Sequence, residues 1–164
     1  MKIREDKTIR PDGQPGIYGY MSTPPAVFIL AVTKNLELYL IKQQRYTFAG
    51  LETIEILAGN TDGEDKLKAA KRELKEETGL SAKKWTYLGE AQPFNALSSE
   101  INYFYLAQKL TQTGEDKRAE DGISQVVKQP YLKVVRMIKT GKIVDGQSIT
   151  GIMKAGLQLG LLKF

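Results

Sequence analysis

Residues 58–80 read A-G-N-T-D-G-E-D-K-L-K-A-A-K-R-E-L-K-E-E-T-G-L. Leu67, Ala70 and Leu74 recur on one helical stripe, which predicts a buried helix face. Thr61 and Glu64 have capping-box spacing at the start of that helix, and Gly79 followed by Leu80 predicts its end. Glu73, Glu76 and Glu77 stand at i, i+3 and i+4, on one side of the helix. Carboxylates so placed repel one another and weaken an isolated helix. One reading is a solvated charged face, with Lys68, Lys71 and Lys75 available for pairing. The other is a hard-cation site, in which neighbouring carboxylates and phosphate oxygens share a magnesium ion. Ala69 and Ala70, one turn before Glu73, leave room for a neighbouring loop, and Arg72 is placed to pair with Glu64 or with that loop.

Composition narrows the chemistry around this helix. The 164 residues, 41% hydrophobic and 26% charged, fit one soluble domain over 1–164. With no cysteine, disulfides and thiolate zinc sites are excluded. With no histidine, serine–histidine triads, imidazole bases and imidazole metal sites are excluded as well. Any metal then rests on oxygen, which favours magnesium or manganese, and any general base is expected to be a carboxylate. The net charge of +5 reads either as a solvated basic surface or as attraction for a polyanion. Because Lys and Arg are scattered rather than clustered, a nucleotide is favoured over nucleic acid. No apolar run has membrane-spanning length and no charged-then-apolar leader is seen, so no membrane partner and a cytoplasmic location are expected.

Outward from the helix, A-V-F-I-L-A-V (26–32) predicts a buried strand and Leu36–Ile41 its hairpin partner across Lys34-Asn35. Thr53–Ala58 predicts one further strand. Beyond the helix, Lys84–Gly89, Ile101–Ala107 and Ile123–Val127 predict strands, with a polar excursion over Thr111–Asp121. The tail predicts helices over Pro130–Lys139 and from Ile149 to Leu161, the second capped by Asp145–Ser148. Within it Gly156 and Gly160 form a G-x-x-x-G pair, read as close packing in a core or dimer. At the front, residues 1–22 predict an antiparallel strand region turning at Pro11-Asp12-Gly13. Strands on both sides of the central helix make the class α/β.

The 58–80 stretch resembles the signature of the Nudix hydrolases, G-x5-E-x7-R-E-U-x-E-E-x-G-U with U aliphatic. Glu64, Arg72, Glu73, Leu74, Glu76, Glu77, Gly79 and Leu80 all match at the right spacing. Its six polar and glycine positions alone arise on the order of once in 10^7 placements, too rarely for coincidence. One position departs: the opening glycine is Gly59 where the pattern wants it at Ala58, so the loop before Glu64 is one residue short. The resemblance implies an α/β/α sandwich around a mixed β-sheet. It also implies magnesium (or manganese) on Glu73, Glu76, Glu77 and the Ala58 carbonyl, with Glu64, Arg72, Gly59 and Gly79 structural.

Weaker matches spread over nearly the whole chain and resemble the ADP-ribose and nucleoside-diphosphate-sugar pyrophosphatases. They are Pro11-Asp12-Gly13, Gln44-Arg45-Tyr46, Glu55-Ile56-Leu57-Ala58-Gly59, Pro93 with Glu100, and Gly141–Asp145. This resemblance implies that a nucleoside-diphosphate sugar binds at Gln44, Arg45, Tyr46 and Glu55. Arg45 offers a planar fork to phosphate, and Tyr46, Phe48 or Phe94 are rings available to stack on a base. Glu76 and Glu100 are the implied catalytic carboxylates, Glu100 taking a proton from the attacking water as general base with Glu120 as rival. A homodimer through residues 1–22 is implied too. Other readings stay open: a triphosphate, dinucleoside polyphosphate or capped-RNA substrate, or a domain that binds ADP-ribose without cleaving it.

Overall fold

The computed structural model describes residues 1–114, 116 and 122–162. Its elements run β1 (Lys2–Ile9), β2 (Pro15–Ser22), β3 (Ala26–Ala31), β4 (Glu37–Arg45), β5 (Leu51–Glu55), β6 (Leu57–Asn60), α1 (Lys66–Thr78), β7 (Leu80–Ala91), β8 (Asn102–Gln112), β9 (Ile123–Pro130), α2 (Tyr131–Lys139) and α3 (Gly146–Gln158). Two sheets form the body. One has order β6-β3-β8-β7, with β3 parallel to β8 and the other pairs antiparallel, and the second is antiparallel with order β5-β4-β9.

Strand alternation explains the layers. In β3, Val27, Ile29 and Ala31 join Leu57, Ala70, Leu74 and Tyr105 in a core beneath α1. Leu30, with Phe104, Leu38, Leu40 and Ile56, joins Ile152 and Ala155 of α3 and Tyr131 and Val134 of α2 in a second core on the opposite face. With both faces covered, β3 reads as an unbroken apolar run, as central strands do. The α/β sandwich is therefore the arrangement in which the stripe of α1 and the stripe of α3 each find a sheet face. No helix among the described residues is long and apolar enough to cross a membrane.

Several expectations need correction. Thr53–Ala58 is two strands in two sheets, divided at Ile56, whose N–H donates to the buried Ser148 Oγ at 3.0 Å. The single mixed sheet is accordingly a mixed sheet plus an antiparallel one. The helix starts later than the Thr61–Glu64 spacing predicts: Asp65 caps α1, accepting from the N–H groups of Leu67 (3.0 Å) and Lys68 (3.1 Å). A side chain at the true N-cap reaches those donors, and Thr61 lies a turn too early. Gly156 packs closely, since a Cβ there would sit 2.1 Å from the Tyr131 hydroxyl, but Gly160 lies beyond the end of α3 with open space around it. The G-x-x-x-G pair is thus no helix–helix stripe. Of the 111–121 excursion, Thr111 and Gln112 belong to β8, while 115 and 117–121 lie outside the described residues.

Candidate active site

Three elements bring the acidic residues together. The sequence of α1 puts Ala69, Ala70 and Leu74 into the core at 0% exposure, which turns Glu73 and Glu77 toward β6. At its C-terminal end Gly79 adopts φ 68°, and its N–H caps the Lys75 carbonyl at 2.7 Å. On β6, a Cβ at Gly59 would lie 2.0 Å from the Glu73 carboxyl carbon. Only glycine permits that approach, so the glycine displaced by one position from the signature is the one the carboxylate needs. Glu77 Oε2 accepts from the Ala58 N–H at 3.2 Å.

Arg72 lies inside this cluster. Its Nε donates to Glu64 (3.0 Å) and its Nη1 to both Glu73 (2.7 Å) and Glu76 (3.0 Å). Its Nη2 donates to the Asn60 carbonyl (2.9 Å) and to Asp62 (3.3 Å). Partial burial lowers the guanidinium pKa, but the bonds it donates to Glu64 and Glu76 and the field of Glu73 outweigh that and raise it above its ordinary value. Glu64, bonded by Lys68 and Arg72, is held below the usual carboxylate range. Among the described residues no group of three carboxylates is arranged to hold a cation. Beyond the Glu64 and loop contacts expected of it, the Arg72 guanidinium lies between two of the three glutamates. The donors still suit a hard divalent ion, because they are oxygens crowded against a glycine backbone, and Nη1 bridges Glu73 and Glu76 as a cation would.

A second ion pair stands beside the cluster. Arg45, at the end of β4, donates Nε to Glu55 Oε1 at 2.8 Å and Nη2 to Glu55 Oε2. Glu55, 6% exposed, also accepts from Thr53 Oγ1 at 2.6 Å. Burial pushes the Glu55 carboxyl up, but the bonds from Arg45 and Thr53 win and hold it below its ordinary value. The stability it contributes is present at neutral pH and is lost as pH falls through that lowered value.

Around these pairs the surface forms a cleft in two parts. A polar part of about 330 Å³ is walled by Gln43, Arg72, Glu73, Glu76 and Glu77. A larger part of about 720 Å³ is walled by Phe28, Phe48, Leu51, Phe94 and Val144, with Asp145 and Gln147 from the start of α3. Arg45, Ala58, Gly59 and Asn60 line both parts. Phe48, Leu51, Phe94 and Val144 are 53–67% exposed, an unusual concentration of open apolar surface around one hollow.

Not every expected residue arrives. Gln44 lines neither part; alternation along β4 puts Gln43 and Arg45 on the cleft side. Tyr46 is 96% exposed and lines neither part, whereas Phe48 does. Glu100 stands just before β8, its N–H bonded to Ser98 Oγ at 3.1 Å, and burial raises its carboxyl pKa. It is not among the residues lining the cleft. Glu120 lies outside the described residues. Asp145, which the sequence offers as a helix cap and as the end of the Gly141–Asp145 match, and Gln147, which it offers only as part of the cap, line the larger part; equal parity with Arg45 is the signal that finds Gln43.

The NUDIX domain model matches residues 22–147. Over 153 residues the chain is 28% identical to the ADP-ribose pyrophosphatase of Bacillus subtilis (strain 168), covering 92% of this chain and 82% of that protein. It is 33% identical over 115 residues to the GDP-mannose pyrophosphatase of Yersinia enterocolitica, covering 67% of this chain and 58% of the relative. A crystal structure of an ADP compounds hydrolase superposes with a TM-score of 0.80 at 18% identity, covering 97% of this chain and 94% of the other, a likeness of fold.

Proposed function

This chain belongs to the NUDIX family, and on that premise we propose that it hydrolyses the diphosphate bond of ADP-ribose or a related nucleoside-diphosphate sugar, using magnesium or manganese. It is a Nudix diphosphatase, related to ADP-ribose and GDP-mannose pyrophosphatases. Nudix hydrolases generally use a divalent metal. The observation that carries the substrate reading is the two-part cleft. Its apolar part suits a nucleoside, its carboxylate part suits a cation-bound diphosphate, and Arg45 stands at the seam where a phosphate would lie.

Glu73, Glu76 and Glu77 would hold the cation, with Ala58 supplying a backbone oxygen. When bound, the ion neutralises phosphate charge and acidifies the attacking water. Arg45, steadied by Glu55, orients a phosphate with the part of its fork that Glu55 leaves open. Phe48 and Phe94 flank the base and exclude water from its faces. Glu100, just before β8 and outside the residues lining the cleft, is the carboxylate assigned here to receive the water's proton as general base, and the leaving phosphate would depart in line. The products are a nucleoside monophosphate and a sugar phosphate.

The direct test is a substrate panel with and without EDTA. ADP-ribose or another nucleoside-diphosphate sugar should turn over fastest, yielding a nucleoside monophosphate, and chelation should stop it. Preference for triphosphates, dinucleoside polyphosphates or capped RNA would refute the substrate assignment, and binding of ADP-ribose without turnover would refute catalysis.

Glu100→Gln should lower kcat about a hundredfold or more, the usual worth of a general base, with little change in KM. In the unmodified protein kcat/KM should rise with pH through a value above the ordinary carboxylate range, because burial raises Glu100. A raised carboxyl binds its proton more tightly folded than unfolded, so this group subtracts stability as pH rises. Glu100→Gln should therefore stay folded at neutral pH. An unchanged rate would move the base elsewhere.

The same reading includes a homodimer. β1 pairs with β2, which reaches the body of the fold through a bridge from Met21 to Ser98, and Ile3, Ile9 and Ile17 are 66–85% exposed. A two-stranded hairpin is marginal alone and open apolar surface of this kind calls for a partner; a second copy supplies it. Sedimentation should give a dimer that Ile3→Glu with Ile17→Glu dissociates, and a monomer in the unmodified protein would contradict this.

A further inference from the structure

At the opposite end of β3 lies a groove that neither the fold nor the hydrolytic cleft requires. Its volume is about 700 Å³, in the range of small-molecule sites. Val32 lines it and Phe28 lines the cleft, four residues or roughly 13 Å apart along the chain. Among the described residues none lines both the groove and the cleft.

Lysines from three neighbouring stretches meet at this groove. Lys84 is on β7, Lys109 on β8, and Lys34 just past β3, which runs parallel to β8. Lys84 pairs across the sheet with Gln108, the neighbour of Lys109. Among the described residues no acidic side chain lines the groove. Among the described residues none of these lysines is in a salt bridge. Elsewhere this chain pairs cations freely, so three unpaired ones around one hollow leave a positive field for a ligand to neutralise. Gln108, Gln112 and Thr33 add neutral hydrogen-bonding groups, over a floor that includes Leu80, Leu110 and Tyr39.

The backbone is also unusual here. Leu36 (φ 58°) and Lys109 (φ 55°) are two of the four non-glycine residues in the left-handed region among the described residues, and both line the groove. Non-glycine residues in that region are strained, and such strain collects at ligand clamps. At Lys109 its effect on the strand is visible. Ala107 and Leu110, three residues apart, both pack on the α1-side core, as do their partners Trp85 and Ala82. An undistorted strand would put them on opposite faces. The distortion thus changes which side chains the strand offers beside the lysines.

We infer that this groove is a second ligand site, one that takes a small phosphorylated metabolite, with the phosphate among Lys34, Lys84 and Lys109 and its organic part on the apolar floor. A groove of this size with an apolar floor suits a compact ligand better than an extended acidic peptide.

The test is calorimetric titration of the full chain in EDTA with AMP, ribose 5-phosphate and inorganic phosphate, with uncharged adenosine as control. AMP should bind at a site that the lysine changes below weaken, more tightly than phosphate does, and adenosine should not bind measurably at that site. Lys34→Gln, Lys84→Gln and Lys109→Asn should each weaken AMP about three- to tenfold, as loss of one charge-assisted contact does. Asparagine tolerates the left-handed region, so the last change keeps the backbone. Arg45→Gln, in the cleft, should leave this binding unchanged. Absence of binding, binding that survives all three lysine changes, or binding lost in Arg45→Gln would overturn the inference. So would saturation by an oligoglutamate peptide with no uptake of AMP, which would assign the groove to an acidic protein segment.

Discussion

Glu77→Gln should lower divalent-metal-dependent turnover of ADP-ribose at least a hundredfold, about 2.7 kcal/mol of transition-state stabilisation, while the protein stays folded. Glu77 is 3% exposed and faces β6, where its Oε2 accepts the Ala58 N–H. Glutamine keeps the shape and an oxygen for that bond, so α1 should keep its seat against the sheet. What glutamine cannot supply is the charge. With Glu73 and Glu76 alone, an incoming cation would find fewer anionic oxygens. Circular dichroism and a steady-state assay across magnesium and manganese concentrations check both halves. Near-normal turnover at every metal concentration would remove Glu77 from the metal site.

Arg72→Ala should destabilise the metal-free protein by about 1–3 kcal/mol, between the worth of an exposed ion pair and of a buried one. It leaves Glu64, Glu73 and Glu76 without the guanidinium that joins them. Like charges at i, i+3 and i+4 then face one another unscreened. Saturating magnesium or manganese should return part of that loss, because a divalent ion replaces the missing charge and binding to the native state alone stabilises it. Thermal unfolding of both proteins with EDTA and with metal measures this. An equal deficit in both conditions would make Arg72 a structural tie only, with no share in the site's charge balance.

The glutamate helix was legible because its signals are local. Its core stripe, its Gly79 stop and the three carboxylates on one side all follow from a period of 3.6 over one stretch of chain. Ala26–Ala31 was legible for the same kind of reason, an apolar run with a turn behind it. The break at Ile56 was not, because T-I-E-I-L-A gives no punctuation. What divides it is a hydrogen bond to Ser148, 92 positions away. The start of α1 was misplaced because Thr61 and Asp65 both have capping chemistry, and only the geometry selects Asp65.

The site divides along the same line. Arg45, Glu55, Glu73, Glu76 and Glu77 were picked out by type and spacing, and the fold brings them to one cleft. The mutual pairing of Arg45 and Glu55 joins two strands whose register no local pattern reveals. Gln43 instead of Gln44 is a matter of which strand face turns inward, fixed by β4 packing between β5 and β9. The place of Arg72 between Glu73 and Glu76 depends on side-chain direction rather than spacing.

The central claim is that the carboxylates of one helical turn gather divalent ions around a diphosphate. Manganese titration followed by electron paramagnetic resonance, with a non-hydrolysable ADP-ribose analogue present, measures it most directly. The protein should take up manganese only weakly without the analogue and more tightly with it, and Glu73→Gln, Glu76→Gln and Glu77→Gln should each reduce the uptake. No uptake with the analogue bound, or uptake indifferent to all three substitutions, would contradict it.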